Sequence, residues 1–540
     1  MERSISFRLT AGETAYIAAP NGCGKTRAAR QLCGLDHTAR PETVTSNRAI
    51  SEWQGKPLTE FDARSRASDF GFIPSSPQLL FSMIGRTLRQ ELELAFGALG
   101  RDVDHEAIDR VADWFELRPL LERDYREFSG GEQMRAGLAC VLVKGPKVVI
   151  TDQLADQIDP EFRKKISALL ARWSLEYGGI LLHFATTLRD DFGCQARHCG
   201  FFSGQEFFTG TLQECWEQLG RNRLTLLGGP MRLGAILHQE NLAVFDSVPC
   251  DARVVAAALC GPRSCVAPVV SPSPAPGNGG LTVNVSEFAY PAGDFHLRDV
   301  RLRVPSQTHC AVLGANGAGK TTLLKCIANL VGPWNGAVSI NGHDYDMRLS
   351  LPKTARLALY CFQNPDDQFY RSTVAEELLE CVRNIAGAKR AFTSDDLHLA
   401  ESFGLTAYLE ASPFELPLSL RRLLVIASCL IARPPLLLLD EPTAWLDAWQ
   451  KKALQDALSV FLGQGGCALT VSHDLDWVSA VASQLVFLAD GKIVRQVESP
   501  VLSAYQSLPY PPTCLQVAEH LPDFPKLWRE KDFLDYLHHA

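Results

Sequence analysis

The 540-residue sequence predicts an α/β fold made of two similar halves. The first observation is a repeat, because AAPNGCGKTRAARQLCGL (Ala18–Leu35) matches LGANGAGKTTLLKCIANL (Leu313–Leu330) position for position. The second is a run of apolar β-formers that ends in aspartate once in each half, in VVITDQLADQID (Val148–Asp159) and LLLLDEPTAWLD (Leu436–Asp447). Strands that alternate with helical patterns are typical of parallel sheets covered by helices, so each half is predicted to be one such domain.

The composition excludes several classes of protein. A formal charge of −8 gives no support to a nucleic-acid partner, which would normally require a basic face. No apolar run approaches the roughly 18–20 residues that span a bilayer, so we expect any membrane role to depend on a partner. The sixteen cysteines lack the paired spacing of a zinc or iron–sulfur site, and we expect reduced thiols in a cytosolic protein.

The repeated segment has the pattern of a phosphate-binding loop. Each copy follows a short apolar stretch and opens a helical pattern, as such a loop requires. Its glycines let backbone N–H groups turn toward phosphates, its lysine reaches the β and γ oxygens, and its hydroxyl holds magnesium. The C-terminal copy supplies Gly314, Gly317, Gly319, Lys320 and Thr321. The N-terminal copy has Ala19 in place of the first glycine but keeps Gly22, Gly24, Lys25 and Thr26.

Further motifs recur in the same order. The C-terminal half contains YCFQNPDDQFY (Tyr360–Tyr370) and LTVSHDLDW (Leu469–Trp477). The N-terminal half contains GFIPSSPQLLF (Gly71–Phe81), EFSGGEQMRAGLA (Glu127–Ala139) and LLHFATTLRD (Leu181–Asp190). With the loops and the aspartate-ending strands, these motifs resemble the ATP-binding cassette (ABC) ATPase family over nearly the whole chain. The resemblance implies two P-loop NTPase domains, each with a RecA-like core, a small antiparallel β subdomain and a helical signature subdomain, arranged head to tail.

The predicted domain boundaries follow from these motifs and from composition. Residues 1–225 form the first cassette with a truncated N-terminal strand region, 281–497 form the second, and 498–540 form a C-terminal extension. Between the cassettes, 226–280 is predicted to be a linker, because SPSPAPGNGG (Ser271–Gly280) is rich in Pro, Gly and Ser. A structured insertion with irregular loops fits the first part of this linker, RLGAILHQENLAVF, better than a flexible chain does.

The C-terminal half is predicted to have lost its signature motif. Ser129 precedes Asp152 by 23 residues and Pro417 precedes Asp440 by 23, so FSGGEQ occupies the slot of LPLSLR. A signature serine and glycines at a helix N-terminus can approach a γ-phosphate closely. Pro417 removes both the hydroxyl and an N–H donor, and Leu418 places a side chain where a glycine leaves room.

The N-terminal half is predicted to have lost the opposite parts. Three of its residues replace candidate catalytic side chains of the other half: Ser75 for Gln363, Gln153 for Glu441 and Thr186 for His473. An amide cannot accept a proton from water as a carboxylate does, and threonine cannot supply an imidazole. Because Lys25, Thr26 and Asp152 remain, we expect this half to bind magnesium nucleotide but to hydrolyse it poorly.

Cassettes of this family pair head to tail, so that each ATP site joins the phosphate loop of one half to the signature of the other. Under that pairing, the lost signature of the C-terminal half and the lost catalytic residues of the N-terminal half belong to the same ATP site. The other site, which uses the C-terminal phosphate loop, is complete. Its implied catalytic residues are Glu441 as the base, His473, Gln363 and Lys320. Its implied Mg²⁺ ligands are Thr321, Asp440 and Gln363. Its implied ATP contacts are Tyr290, Gly314, Asn316, Gly317, Gly319, Lys320, Thr321, Thr322, Ser129, Gly130 and Gly131. The implied contacts of the degenerate site are Asn21, Gly22, Gly24, Lys25, Thr26 and Asp152.

Ordinary structural roles remain as alternatives for some of these residues. Tyr290 is either the aromatic that stacks on adenine or an ordinary packing tyrosine. A buried histidine is more often a core residue, but the place of His473 between LTVS and Asp474 favours a catalytic role. The degenerate site is interpreted as one kept for binding ATP or for holding the two cassettes together.

The biological role is predicted from a narrower resemblance. FQNPDDQ (Phe362–Gln368), STVAEEL (Ser372–Leu378) and SLPYPPTCLQVAEHL (Ser507–Leu521) are similar to segments of energy-coupling factor (ECF) type importer ATPases. That group implies ATP and Mg²⁺ as cofactors and uptake of a vitamin or transition-metal ion. It also implies a T-type coupling subunit and a substrate-binding subunit as membrane partners, with this chain peripheral on the cytoplasmic face. The alternatives are a soluble twin-cassette ATPase acting on ribosomes or DNA, and the ATPase of another ABC importer or exporter.

Overall fold

The chain folds into two compact units, Met1–Leu259 and Cys260–Ala540, which contain the N-terminal and the C-terminal half of the repeat. A computed structural model describes residues 8–35, 52–75, 77–128, 130–154, 160–188, 196–203, 206–222, 224–245, 247–259, 277–290, 296–315, 317–386, 392–498, 512–521, 529–530, 533–534 and 537. Two residues of the predicted ATP sites, Ser129 and Asn316, lie outside these ranges.

The N-terminal half is built on a six-stranded sheet in the order β4-β5-β6-β1-β7-β8. Its neighbouring strands are parallel except for the antiparallel pair at the β8 edge. The strands are β1 Thr14–Ala18, β4 Phe70–Ile73, β5 Val148–Asp152, β6 Ile180–Ala185, β7 His198–Ser203 and β8 Glu206–Gly210, and a separate hairpin joins β2 Glu52–Trp53 to β3 Lys56–Pro57. The described part of this half therefore has a two-stranded ribbon beside its central sheet.

Helices cover this sheet and form a cluster between β4 and β5. The helices are Lys25–Leu32, Ala63–Asp69, Leu88–Gly97, His105–Trp114, Gly130–Leu142, Pro160–Tyr177, Leu212–Asn222, Gly229–Gln239 and Ala252–Leu259. Short 3₁₀ turns occur at Leu58–Glu60, Pro77–Leu80, Arg118–Leu120, Tyr125–Glu127 and Leu224–Leu226. The side chain of Thr87 caps the helix Leu88–Gly97 in a capping box with Gln90, which fixes where that helix begins.

The C-terminal half repeats the same topology, with a six-stranded sheet in the order β14-β15-β16-β11-β17-β18. A second, antiparallel sheet has the order β10-β9-β12-β13. The strands are β9 Gly277–Ala289, β10 His296–Ser306, β11 His309–Leu313, β12 Trp334–Ile340, β13 His343–Tyr345, β14 Ala358–Cys361, β15 Leu436–Asp440, β16 Cys467–Val471, β17 Gln484–Ala489 and β18 Lys492–Glu498. The predicted α/β class is confirmed, and β9 and β10 form a strand-rich lead-in to this half.

The helices of the C-terminal half again include a cluster between β14 and β15. Strand β14 leads into the segment that contains Gln363, which is called the Q-loop below, and β15 ends in Asp440. They are Lys320–Ile327, Leu351–Thr354, Val374–Leu378, Glu380–Ala386, Ser394–Ser402, Leu418–Ile431, Ala448–Gly463, Leu475–Val481 and Thr513–Glu519, with 3₁₀ turns at Pro365–Gln368, Thr406–Tyr408 and Pro413–Glu415. Strand β15 is buried along its whole length, because apolar helices cover both faces of the sheet.

The predicted linker begins with a folded segment. The helices Gly229–Gln239 and Ala252–Leu259 belong to the compact N-terminal unit, which ends at Leu259. The buried Trp216 indole donates a hydrogen bond to the Met231 carbonyl at 3.0 Å, which joins this segment to the preceding helix. The Pro/Gly/Ser-rich stretch that predicted the linker falls mostly outside the described residues.

The described part of the C-terminal extension packs on the second cassette. Thr513 donates from its N–H and its hydroxyl to the two carboxylate oxygens of Asp476, at 2.7 and 2.9 Å, and the buried Leu515 joins the apolar core. Among the described residues, none of the helices combines the length and the apolar character that crossing a bilayer demands.

Burial keeps several cysteines in the thiol form. Cys326 and Cys467 are free thiols in the core, and loss of solvent raises the pKa of each to about 12. Cys250 is disulfide-bonded, so the prediction that all thiols are reduced is wrong at that position.

Candidate functional site

The C-terminal phosphate loop connects β11 to the helix Lys320–Ile327. Gly319 precedes this helix in the left-handed conformation, with φ of 98°, which favours glycine. A Cβ atom at Gly314 would lie 2.2 Å from the Leu488 carbonyl oxygen, so the loop could not approach β17 with a larger residue there. The buried Lys320 Nζ donates to the carbonyls of Gly314 and Ala315 at 2.9 and 3.0 Å. The loop therefore wraps around the lysine at the helix N-terminus, as a phosphate cradle requires.

Hard oxygen donors meet where this loop faces the end of β15. The Thr321 hydroxyl donates to Asp440 Oδ1 at 3.2 Å, and the Tyr360 hydroxyl donates to Oδ2 of the same carboxylate at 2.7 Å. Hydroxyl and carboxylate oxygens are the ligands that Mg²⁺ prefers in proteins, so this donor set fits the metal. Gln363, the third predicted ligand, is exposed just beyond β14.

Glu441 stands beside this carboxylate in a special conformation. Its φ of 49° is left-handed, and its N–H donates to the Val471 carbonyl at 2.9 Å, which turns the side chain toward the loop. The Glu441 Oε2 accepts the His473 N–H at 3.1 Å, and the His473 Nε2 lies 3.5 Å from Oε1. The structure therefore brings the predicted base and the predicted histidine together.

The Glu441 side chain is 18% exposed, and the partial loss of solvent around its carboxylate raises its pKa to about 8. The charge of Asp440 adds to this shift, whereas the His473 N–H bond, Lys320 and Arg422 oppose it. A carboxyl with a raised pKa next to a phosphate loop is a common property of a general base.

Replacing this carboxyl is expected to stabilise the nucleotide-free protein in alkaline buffer. The ordinary carboxyl pKa is 4.5 and that of Glu441 in the fold is about 8, so the native state binds the extra proton between these values. Stability is therefore lost as pH rises from 4.5 to 8. We expect Glu441→Gln to raise the melting temperature little at pH 5 and most above pH 8, by about 2–4 °C for each kcal/mol relieved.

Scanning calorimetry in EDTA from pH 5 to 9 measures this effect. Glu415→Gln, which removes an exposed carboxylate of the same half, is the matched control and should show no such trend. A constant difference between Glu441→Gln and the wild type across this pH range would contradict the burial of the Glu441 charge.

Sequence reasoning missed a buried arginine that connects these elements. Arg422 on the helix Leu418–Ile431 is fully buried, and its guanidinium donates to the backbone carbonyls of Phe362 and Asp440. It also lies within 3.4 Å of the Gln363 carbonyl. A charge among the apolar residues of LSLRRLLVIASCLI was the only sequence signal for it. The arginine ties the helical subdomain to the Q-loop and to the base of the metal site.

The segment LPLSLR of the C-terminal half, which aligns with the signature FSGGEQ, makes contacts within its own half. Pro417 precedes the helix Leu418–Ile431 and supplies no side-chain cap, and Ser419 is buried. Arg421 pairs with Asp366 at 2.9 Å and lies over the Phe414 ring. These contacts tie the helix N-terminus to its own half.

The N-terminal site has the same backbone with different side chains. Lys25 Nζ donates to the carbonyls of Ala19 and Pro20 at 2.7 and 2.8 Å. Gln153 has a φ of 55° and donates its N–H to the Phe184 carbonyl at 2.7 Å, so it stands where Glu441 stands in the other half. Its side-chain amide donates to Asn21 Oδ1 at 3.1 Å. The amide therefore braces the phosphate loop instead of offering a base.

Strand register places the other substitutions. Asp152 pairs with Phe184 and Asp440 pairs with Val471, so Thr186, two residues beyond Phe184, occupies the position of His473. Asp152 and Thr186 are both buried. The signature helix runs over Gly130–Leu142 with Gly131 exposed at its first turn.

Tyr290 lies at the end of β9. Its hydroxyl is 3.4 Å from the Thr322 hydroxyl, and its ring meets the Phe288 ring edge-on at 4.8 Å. The half-buried ring is therefore anchored near the phosphate-loop helix, and the adenine-stacking role remains a prediction.

The family described as ABC transporter matches residues 3–155 and 297–444, which together make up more than half of the chain. The chain belongs to this family and is an ATPase with two ATP-binding cassettes.

Similar proteins span most of the chain. The putative HMP/thiamine import ATP-binding protein YkoD of Bacillus subtilis is 27% identical over 501 residues, which are 90% of this chain and 86% of that protein. A putative ABC transporter ATP-binding protein of Methanosarcina acetivorans is 25% identical over 547 residues, with 96% and 86% covered. A model of ribosome-bound archaeal Pelota and ABCE1 is 18% identical, with a TM-score of 0.61 over 91% of this chain and 76% of that one, which shows the fold alone.

Proposed function

We propose that this chain is the ATP-hydrolysing subunit of a membrane transporter, of the ECF type that takes up a vitamin or a transition-metal ion. The observation that carries the proposal is a loop in each half, just after the Q-loop strand. The N-terminal loop exposes apolar side chains and the C-terminal loop exposes a tyrosine, and each loop is braced by a buried glutamate. The printed name of the Bacillus subtilis relative, an import protein, supports the same direction.

In the N-terminal half this docking loop covers residues 79–86. Leu79, Met83 and Ile84 are 74%, 63% and 77% exposed. The buried Glu91 accepts the N–H groups of Ser82 and Gly85 at 2.7 and 2.9 Å. Exposed apolar side chains on a loop held in a fixed shape are typical of a protein-binding surface.

In the C-terminal half the docking loop covers residues 369–373. Tyr370 is 75% exposed, and Glu377 accepts the N–H groups of Tyr370 and Arg371 at 3.0 and 2.8 Å. A cavity of about 210 Å³ adjoins the loop, between the core sheet and the helical cluster. An exposed aromatic beside a cavity favours insertion of a helix from a partner subunit.

The chemistry follows from the C-terminal site. Thr321 and Asp440 would hold Mg²⁺, which would supply Lewis-acid stabilisation of the negative charge on the phosphates. Lys320 stabilises the charge that develops on the transferred phosphoryl group, and Glu441 accepts the proton of the attacking water. His473 orients Glu441 through its backbone N–H. The signature residues Ser129, Gly130 and Gly131 would close over the γ-phosphate in the head-to-tail arrangement.

A soluble twin-cassette ATPase on ribosomes or DNA is the competing class. Such a protein needs a basic surface for phosphates, whereas this chain has a formal charge of −8. The N-terminal docking loop exposes Leu79, Met83 and Ile84, which suits a hydrophobic partner. We therefore propose integral membrane subunits as partners, no nucleic acid, and a peripheral place on the cytoplasmic face of the membrane.

Charge at a docking loop is expected to release the membrane partner. We expect tagged wild-type chain, isolated from detergent-solubilised membranes, to carry a polytopic subunit, and Ile84→Glu to lower its recovery at least roughly tenfold, because the interface would bury an unpaired carboxylate. Quantitative mass spectrometry of the purified complex measures the recovery, and uptake of labelled thiamine precursors or metal ions tests the cargo.

Leu175→Glu is the control, since Leu175 is 79% exposed on the helix Pro160–Tyr177 and belongs to neither docking loop. Equal loss of the polytopic subunit with Leu175→Glu would contradict the proposal that the docking loop binds it. Recovery of the wild type with ribosomes, and without a polytopic subunit, would overturn the proposed function.

A further inference from the structure

We infer that Tyr360 is a positioning residue for magnesium binding: its hydroxyl sets the orientation of the Asp440 carboxylate in the C-terminal site, and the equivalent strand position of the N-terminal half is Phe72. This inference rests on the proposed assignment of the complete site to the C-terminal half. Tyr360 is the first residue of the YCFQNPDDQFY motif, but no role was predicted for its side chain.

Two hydroxyl groups hold the Asp440 carboxylate. Thr321 donates to Oδ1 of Asp440 and Tyr360 donates to Oδ2, so the two hydroxyls fix the plane of the carboxylate. A carboxylate held at both oxygens cannot rotate about its last torsion without breaking a hydrogen bond. Groups that orient a metal-binding side chain in this way typically alter metal affinity when they are removed.

The Tyr360 ring is buried in the core of the C-terminal half. The ring packs edge-on against Phe362 at 4.9 Å and lines the cavity beside the docking loop. Packing of the ring therefore fixes the position of the hydroxyl. Tyr360 also adjoins the surface where we propose that a partner binds.

The two halves of the repeat have different residues at the strand position of Tyr360. Tyr360 pairs with Leu438, two residues before Asp440, and Phe72 pairs with Ile150, two residues before Asp152. Phe72 therefore occupies the same position of the N-terminal sheet and offers no hydroxyl to Asp152. The fold accepts phenylalanine at this position, so Tyr360→Phe is expected to fold.

The test separates metal binding from hydrolysis. In a Glu441→Gln background, titration calorimetry of the full chain measures ATP affinity with Mg²⁺ and with EDTA. We expect Tyr360→Phe to weaken the Mg²⁺-dependent part of the affinity roughly tenfold and to leave the affinity in EDTA unchanged. Electron paramagnetic resonance of bound Mn²⁺ provides a second readout, and there we expect a weaker Mn²⁺ signal at equal nucleotide occupancy.

Two further variants make the outcome decisive. Tyr345→Phe removes another buried hydroxyl of the same half, which donates to the Ile327 carbonyl at 2.6 Å, and should leave the Mg²⁺ dependence unchanged. Thr321→Ala should weaken it, and its failure to do so would refute the site assignment. If Thr321→Ala weakens Mg²⁺ binding while Tyr360→Phe does not, or if Tyr345→Phe weakens it equally, the role of Tyr360 is refuted.

Discussion

Glu441→Gln is expected to abolish steady-state ATP hydrolysis, whereas Gln153→Glu is expected to change the rate little. A neutral amide cannot accept the proton of the attacking water, and loss of a general base typically costs about 10²–10⁴-fold in rate. Restoring a carboxylate at Gln153 leaves the N-terminal site without an imidazole, because Thr186 occupies that position. It also replaces the amide that donates to Asn21.

Phosphate release by the purified chain at saturating ATP and Mg²⁺ measures both variants. Their affinities for ATP in the presence of EDTA should match that of the wild type, which shows that the loss concerns chemistry and not binding. A strong gain of activity in Gln153→Glu, or a wild-type rate in Glu441→Gln, would show that the site on the C-terminal loop is not the one that turns over.

Gly131→Val is expected to suppress hydrolysis by roughly 100-fold, although Gly131 belongs to the half that lacks the catalytic base. Valine keeps the backbone N–H, but its side chain would hold the γ-phosphate away from the N–H groups of the signature. Loss of a contact that stabilises charge in a transition state typically has an effect of that size. A Cβ atom at Gly131 meets nothing within 4 Å, so the substitution is not expected to disturb the fold.

Pro417→Val is the matched control at the corresponding segment of the C-terminal half. Pro417 is exposed and makes no side-chain cap, so a valine there removes no hydrogen bond. We expect this variant to hydrolyse ATP at the wild-type rate. The reverse pattern, with Pro417→Val inactive and Gly131→Val active, would place the catalytic signature in the C-terminal half.

Features that depend on local pattern could be predicted from the sequence. The glycines of the two phosphate loops must turn in the left-handed region, and the aspartates follow buried strands, so both motifs are visible as letters. The exchange of Glu441 for Gln153 was visible for the same reason. The structure adds that both residues have left-handed backbone at equivalent points of their strands.

Features that depend on tertiary contacts could not be predicted. Tyr360 and Asp440 are 80 residues apart, and only the pairing of β14 with β15 brings them together. Arg422 resembles an ordinary helix residue until its burial is known. A structured insertion was predicted for the first part of the linker, but its packing on the first cassette was similarly hidden, because it depends on the contact of Trp216 with Met231.

The central claim is that the signature of the N-terminal half caps the nucleotide held by the C-terminal half. A structure of Glu441→Gln with ATP and Mg²⁺ tests it most directly, since this variant should trap the closed state. The account predicts that Ser129 and Gly131 contact the γ-phosphate of the ATP bound at Lys320. Contact of these residues with the ATP at Lys25 instead would contradict it.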